Sequence, residues 1–378
     1  MDNLGAKKTI FIHVNSLTGG GAERVASLWA SGLSRRGHNV TIVIRNDGRK
    51  ITYLPDEGVS VERIGPRHGS RREKLKGRLS DARRLMKARH PDVIIGVLSE
   101  ATFEAWVASR GLGIPVVNTE HNAFEQPHSA PMTRSRRFKK RWLNRLYDHV
   151  TVLTSADYAI AGKFLKHLTL MPNPLAFEPL DDLSVLDDKQ KFVLASGRLD
   201  DWHYKGFDLL IKAWGMTPHE GWKLKIMGTG SLRNRMRMMD LAEECGVKDS
   251  IVLAGYTDDP LSDYRDASVF VLSSRYEGFG MVLIEAMSQG CACIASDYKG
   301  RQREIFGDTA DTGLIVDVES SKAISEGLSK VIDDADMRRR MQLNAIKRSA
   351  HFALSHVTDR WEEIFATLPS PRHNKSRH

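Results

Sequence analysis

The sequence is poor in the features that mark several whole classes of protein. Only three cysteines occur in 378 residues, Cys245, Cys291 and Cys293. They form neither a CxxC pair nor an even set, which argues against a zinc site or a disulfide framework and leaves them as expected packing residues. No apolar run approaches the roughly 20 residues needed to span a bilayer; stretches such as VFVLSS and VVNT are strand-sized. The opening MDNLGAKKTIFIHVNS passes from a short apolar segment into a glycine loop without a small-residue cleavage site, so no signal peptide is expected and a cytoplasmic location follows. No GxGxxG follows the first strand, which disfavours a dinucleotide fingerprint. Internal repeats and low-complexity segments are absent too.

What is present is an ordinary soluble composition, 41% hydrophobic and 27% charged, in a chain longer than one core usually organises, so two domains are expected. The net charge of +9 is unevenly placed. Residues 1–180 hold 29 Lys+Arg against 16 Asp+Glu, giving +13, and the remainder holds 27 against 31, giving −4. The positive charge gathers in RHGSRREKLKGRLSDARRLMKARH (67–90) and in RSRRFKKRWLNRLY (134–147), the second without an acid. An anionic partner is implied: phosphate, an anionic membrane or nucleic acid.

Strand-like runs alternate with helical patterns from end to end, as βαβ units of a parallel sheet require. TIFIHVNS, NVTIVI, PDVIIGVL, PVVNTE and HVTVLTS read as strands of a first α/β domain over 1–175. The alternation lapses in MPNPLAFEPLDDLSVLDDKQ, a linker. It resumes with KFVLASGRL, WKLKIMG, SIVLAGY, SVFVLSS, CACIASD and GLIVD in a second domain over 185–350. A long helix at 352–368 and a basic tail at 369–378, expected to be disordered, close the chain. Two doubly wound domains in tandem place ligands where strand carboxyl ends face a cleft.

Several loops on that side carry candidate chemistry. NSLTGGGAERV puts Gly20 and Gly21 between strand and helix, either a backbone cradle for an anion or a tight turn. ASGRLDDWHYKGFDLL sets Arg198 just after a strand and Lys205 just before a helix, two cations suited to a diphosphate or a solvated pair. KIMGTGSLR repeats the strand, glycine turn and helix at Gly228 and Gly230, a nucleotide wall or a chain reversal. NTEHNAF sets His121 just beyond a strand, where it could meet a ligand or be structural. RYEGFGMVLIEAMSQG places Glu277 on a loop and Glu285 in the second turn of a helix. If all helical, the two would stand about 12 Å apart, wider than the roughly 5 to 9.5 Å of hydrolase acid pairs. A carboxylate holding vicinal hydroxyls is a common ribose clamp, and the N–H groups from Gly278 to Met281 could face a phosphate.

GGGAERV, GRLDDWHYKGFDLLIKAW, MGTGSLR and EGFGMVLIEAMSQGCACIASD, in this order, closely resemble the family-four retaining glycosyltransferases of the GT-B fold, especially bacterial members that build surface or lipid-linked glycans. The resemblance implies two Rossmann-like doubly wound domains facing a central cleft, the first for the acceptor, the second for the sugar nucleotide, with the last helix crossing back to the first. It implies transfer of a hexose or N-acetylhexosamine, with retention, from a nucleotide sugar, a UDP-sugar by expectation, to a lipid-linked or polysaccharide acceptor. Arg198 and Lys205 would bind the diphosphate, Glu285 the ribose, and Glu277 the transferred sugar, with His121 beside it. Gly20, Gly21, Gly228, Gly230, Gly278, Phe279, Gly280, Met281 and Val282 would line the donor site. No metal, other cofactor or nucleic-acid partner is expected. The DDWHY insert leaves Asp201 and His203 without an assigned role.

The basic segment gains a narrower reading. If helical, Phe138, Trp142 and Leu146 stand at i, i+4 and i+8 with Arg136, Arg137, Lys139, Lys140 and Arg141 around them, which suits a membrane interface at the inner face of the cell membrane, or an acceptor pyrophosphate. Packing of that stripe on its own domain is the alternative. Two competing functions remain open on sequence: a nucleic-acid-binding protein using the basic half, and a sugar-nucleotide epimerase.

Overall fold

The computed structural model describes residues 6–126, 131–257 and 259–370. Most of the expected basic tail, from 371 on, lies outside them. The chain forms two compact units: the first holds residues up to Glu125, Pro131–Pro174 and the chain from Leu354 on; the second holds Leu175–Ala353.

The first unit is built on seven parallel strands: β1 (Thr9–His13), β2 (Asn39–Arg45), β3 (Ser60–Ile64), β4 (Val93–Val97), β5 (Val116–Thr119), β6 (His149–Val152) and β7 (Leu168–Leu170), in the order β3-β2-β1-β4-β5-β6-β7. The central strands are continuous apolar runs because helices cover both faces; Ile10, Phe11 and Ile12 of β1 and Ile94 and Ile95 of β4 are fully buried. The crossovers carry α1 (Gly21–Arg35), α2 (Arg71–Arg89), α3 (Ser99–Ser109), α4 (Arg134–Trp142) and α5 (Ser155–Ala161). Strand order reverses between β1 and β4, so the loops after these strands flank the switch point where α/β sheets place ligands.

The second unit has six parallel strands: β8 (Gln190–Ser196), β9 (Lys223–Met227), β10 (Ile251–Gly255), β11 (Ala267–Leu272), β12 (Ala292–Ser296) and β13 (Leu314–Val316), in the order β10-β9-β8-β11-β12-β13. Its helices are α6 (Phe207–Met216), α7 (Leu232–Glu244), α8 (Pro260–Asp266), α9 (Met281–Ser288), α10 (Arg301–Phe306), α11 (Ser321–Asp333) and α12 (Ala335–Ser349). One core joins Val193, Phe207, Leu210, Trp214, Leu224, Val269, Ile294 and Leu328 across the sheet. Here the order reverses between β8 and β11.

The last helix, α13 (Leu354–Thr367), belongs to the first unit and packs on α1. Trp361 meets Trp29 edge-on at 5.0 Å between ring centroids and stacks on Phe365 at 5.8 Å. Arg36 pairs with Asp359 and, at 3.6 Å, with Glu362. No described helix is long and apolar enough to cross a membrane.

Two strands escape the sequence pattern. β3 reads SVERI, a sheet edge with two charged residues, and β7 is three residues long at the opposite edge. The helix expected across 134–147 stops at Trp142 and tightens into a 3-10 turn over Leu143–Leu146. The Asn144 side chain donates to the Lys140 carbonyl at 3.0 Å, taking the acceptor that its backbone N–H would use in a continuing α-helix.

Candidate functional site

In the second unit the switch point brings together the loops after β8 and β11. Lys205 Nζ donates to Glu277 Oε1 at 2.8 Å, and the Ser274 hydroxyl donates to the same oxygen at 2.8 Å. Both charged side chains are largely buried. Backbone contacts hold the two loops in place: Ser273 Oγ donates to the Lys205 carbonyl at 2.9 Å and Arg275 N to the Tyr204 carbonyl at 3.1 Å. Gly206, with φ 66°, passes so close to Ser273 that a Cβ would overlap its carbonyl oxygen, so the approach that joins Lys205 to Glu277 requires glycine here. Arg275 clamps Asp208 of α6 with two bonds of 2.8 Å. Burial alone would raise the Asp208 carboxyl, but the hydrogen bonds and charge of Arg275 hold it below its ordinary value.

Arg198 lies in the same loop but is exposed, with 73% of its side chain accessible, and pairs with Asp201 at 2.7 Å. That gives Asp201, the second acid of the insert, a partner. His203 Nδ1 stands 3.4 Å from Asp208, and its carbonyl accepts from Arg275. Gly228 and Gly230 are brought alongside: Leu199 N donates to the Thr229 carbonyl at 2.8 Å. A Cβ on Gly228 would overlap the Gly197 carbonyl and one on Gly230 would crowd Leu199 Cβ, so these glycines permit close passage of the two loops.

Three helices that follow glycine loops were candidates for an anion at their amino ends, and their surroundings differ. Ahead of α7, Asp200 Oδ1 accepts from Ser231 N (2.8 Å), Ser231 Oγ (2.7 Å) and Asn234 Nδ2 (2.9 Å); the Ser231 backbone and side-chain bonds and that of Asn234 hold its carboxyl below the usual range. Ahead of α1, the Glu23 carboxylate folds back over Gly20, filling the space a Cβ there would occupy, and accepts from Ser16 Oγ at 3.1 Å. Gly21 is the first residue of that helix. Ahead of α9 no such carboxylate contact is found among the described residues: Gly280 precedes it with φ 97° and, as at α1 and α7, no side-chain cap, so the first N–H groups, including those of Met281 and Val282, lack helical acceptors four and five residues after Glu277 in sequence. Gly278 shares this loop, while the Phe279 ring turns inward and packs edge-on against Phe352 at 5.6 Å.

Glu285 lies one turn into α9, 3% exposed, with Oε2 accepting from the Tyr264 hydroxyl at 3.1 Å. Tyr264 comes from α8, 21 positions earlier, and nothing in the spacing of the two glutamates announces it. An aromatic row is likewise invisible in sequence: Tyr204 meets Tyr276 at 4.5 Å, and Tyr276 meets Tyr298 of the loop after β12 at 6.2 Å. Burial, then the neighbouring Glu277 charge, pushes the Tyr204 phenol well above its ordinary value.

In the first unit His121 sits just beyond β5. Its Nε2 is 3.0 Å from Thr119 Oγ1, whose hydroxyl donates to the Gly96 carbonyl on β4 at 2.9 Å, and its ring lies 5.5 Å from Trp29. Nδ1 is buried without a partner among the described residues. Burial drives the imidazole down to about 4, so His121 is neutral near pH 7. A second histidine, His13 at the end of β1, is driven to about 3 by burial.

The basic helix calls for one correction. Arg136, Arg137, Lys139 and Arg141 are exposed, but Lys140 is not part of the rim. Its ammonium is buried in an ion pair of 2.6 Å with Glu120 and donates to the Asn122 carbonyl at 2.7 Å. Desolvation of a cation at such depth is tolerated only with a partner of this kind.

Residues 19–175 match the family model described as Glycosyltransferase Family 4, and residues 178–348 the model described as Glycosyl transferases group 1. The GalNAc-alpha-(1->4)-GalNAc-alpha-(1->3)-diNAcBac-PP-undecaprenol alpha-1,4-N-acetyl-D-galactosaminyltransferase of Campylobacter jejuni is 28% identical, over 94% of this chain and 97% of its own. The amylovoran biosynthesis glycosyltransferase AmsD of Erwinia amylovora is 28% identical, over 91% and 95%. Among solved structures, sucrose-phosphate synthase from Thermosynechococcus elongatus aligns with TM-score 0.78 at 22% identity, over 95% of this chain and 98% of that one. Anabaena Alr3699/HepE in complex with UDP and glucose aligns with TM-score 0.78 at 16% identity, over 96% and 100%. These likenesses give the fold as GT-B.

Proposed function

The chain belongs to the glycosyltransferases, with a family 4 domain followed by a group 1 domain, and from that membership we propose that it transfers a hexosyl or N-acetylhexosaminyl group, with retention, from a nucleoside diphosphate sugar to a lipid-linked or polysaccharide acceptor in bacterial glycan assembly. A UDP-sugar is the donor we favour, and the reaction belongs on the cytoplasmic side, where such donors are made. Support for the acceptor class comes from relatives whose names specify undecaprenol-linked glycans and capsular polysaccharide. The nucleic-acid and epimerase readings find no support among these relatives.

One observation carries the donor reading: at the switch point of the second unit, the Lys205–Glu277 pair lies beside an uncapped helix amino end, whereas the ends of α1 and α7 already face internal carboxylates. In this reading Lys205, Arg198 and the N–H groups of Gly278 to Val282 meet the diphosphate, where charge grows as the sugar leaves. Two cations and a helix end supply that charge without a metal, so chelation by EDTA is expected to leave the rate unchanged. Glu285 holds the ribose hydroxyls, with Tyr264 fixing its carboxylate; Glu277 turns to the sugar. The bond from the anomeric carbon to the diphosphate oxygen breaks, the acceptor oxygen bonds to that carbon on the same face, and the departing phosphate oxygen takes the acceptor proton. His121, being neutral, contributes a hydrogen bond and not a charge. The experiment is a screen of nucleotide sugars with mass detection of transfer to lipid-linked acceptors, run on the parent, Lys205→Ala and Glu285→Ala. Loss of transfer in both folded variants is expected; full transfer by either sinks that residue's assignment.

A further inference from the structure

Residues 131–147 hold seven Lys or Arg and no acid, and the structure divides them between two faces of α4 and its 3-10 extension. The inner face is accounted for. Lys140 binds Glu120 and the Asn122 carbonyl and lies 4.2 Å over the Phe124 ring. Asn144, one turn on, donates to Glu120 at 3.0 Å and accepts from Asn118 at 2.8 Å. These contacts bracket His121 on both sides and fix the helix to the end of β5.

The outer face carries Phe138, Trp142 and Leu146, exposed to 59%, 49% and 42%. The two rings lie 6.4 Å apart, and the Arg145 guanidinium stands 4.6 Å over Trp142. Around them Arg134, Arg136, Arg137, Lys139, Arg141 and Arg145 are all exposed, and none is within ion-pair distance of a carboxylate among the described residues. The other basic helix, α2, is balanced in part, with Arg78 meeting Glu104 at 2.7 Å, Arg84 meeting Asp81 at 2.8 Å and Arg89 meeting Glu62 at 2.6 Å, and Leu75 is its one exposed large apolar side chain. The outer face of α4 and its extension is where six cations without a carboxylate partner among the described residues surround three exposed large apolar side chains.

We infer that this face of α4 and the following turn docks on an anionic lipid bilayer, the three apolar side chains entering the headgroup boundary and the six cations meeting lipid phosphates. Exposed apolar bulk with a cationic rim is what such an interface selects. Single-stranded nucleic acid would instead want open aromatic planes for stacking, yet Arg145 covers Trp142 and Leu146 offers no plane. This goes beyond the donor chemistry and does not depend on it.

The test is co-sedimentation of the full-length protein with phosphatidylcholine vesicles, with and without phosphatidylglycerol. Binding is expected only to the anionic vesicles, weakened about fivefold for each exposed arginine of this face changed to Gln. The part that survives high salt, where charge is screened, is expected to vanish in the double variant Phe138→Ser, Trp142→Ser, whose melting temperature should match that of the parent. Absence of binding to anionic vesicles overturns the inference. Equal binding by the double variant, displacement from vesicles by inorganic pyrophosphate, or loss of binding to vesicles in favour of single-stranded RNA overturns it as well.

Discussion

Glu277 and Lys205 have to part if each is to meet its own piece of the donor. In the structure they share one short contact, reinforced by Ser274, and a diphosphate must compete with that carboxylate for the ammonium. Glu277→Gln removes the competing charge, so nucleoside diphosphate affinity should rise by up to about tenfold, the scale of one charged hydrogen bond, while transfer falls. Calorimetric titration reads the first and the mass assay the second. If Glu277→Gln weakened nucleotide binding as Lys205→Ala should, the competition would be wrong. A second residue pair makes a stability claim. Lys140→Met strands the Glu120 carboxylate in a buried site and should cost about 3 to 5 kcal/mol, with much of it recovered in the double variant Lys140→Met, Glu120→Gln; chemical denaturation of the three variants measures both. The sequence carries the clue to Lys140. Position 140 lies two residues from both Phe138 and Trp142, hence on the opposite side of the helix from the apolar stripe. The charge count of the segment is blind to this, whereas the helical periodicity shows it. Tyr264 left no such clue, because its partnership with Glu285 depends on how α8 and α9 pack.

At the scale of elements, alternation made the central strands legible because buried parallel strands are apolar on both faces. It failed at the edges: SVERI of β3 is half polar, since one side of an edge strand faces solvent, and LTL of β7 is too short to show any period. The helix at 354–367 was also legible, but its partner was not given by its own residues. In the structure Trp361 is wholly buried against Trp29, which in turn lies 5.5 Å from His121. The last helix therefore supports the strand-end histidine through one intervening ring. Trp361→Ala should cost about 3 to 5 kcal/mol, as large aromatic deletions in packed sites do, and should disturb the Trp29 and His121 signals in near-ultraviolet dichroism and NMR. Trp361→Phe should restore most of both. A stability loss below about 1 kcal/mol would show that α13 is dispensable to this core.

For the molecule as a whole, the two units differ in how they should respond to acid. The histidines whose pKa is driven down by burial, His13, His38, His121 and His149, all belong to the first unit. A folded pKa below the unfolded value means that the unfolded chain takes up a proton which the native state refuses. Stability is thus unaffected above about pH 6.5 and falls as the pH drops from there towards the folded values near 4 for His121 and 3 for His13. At pH 5 each of these two should subtract on the order of 2 kcal/mol, a large share of the 5 to 15 kcal/mol that typically holds a domain. Thermal unfolding at pH 7.5 and pH 5 should therefore show the transition of the first unit moving down more than that of the second, as resolved by protease cleavage within residues 6–125 against 175–353. His13→Gln, which cannot titrate, should shrink the acid shift whatever it does to stability at pH 7.5. If the variant lost as much between the two pH values as the parent, buried neutral histidine would not be the source of the asymmetry.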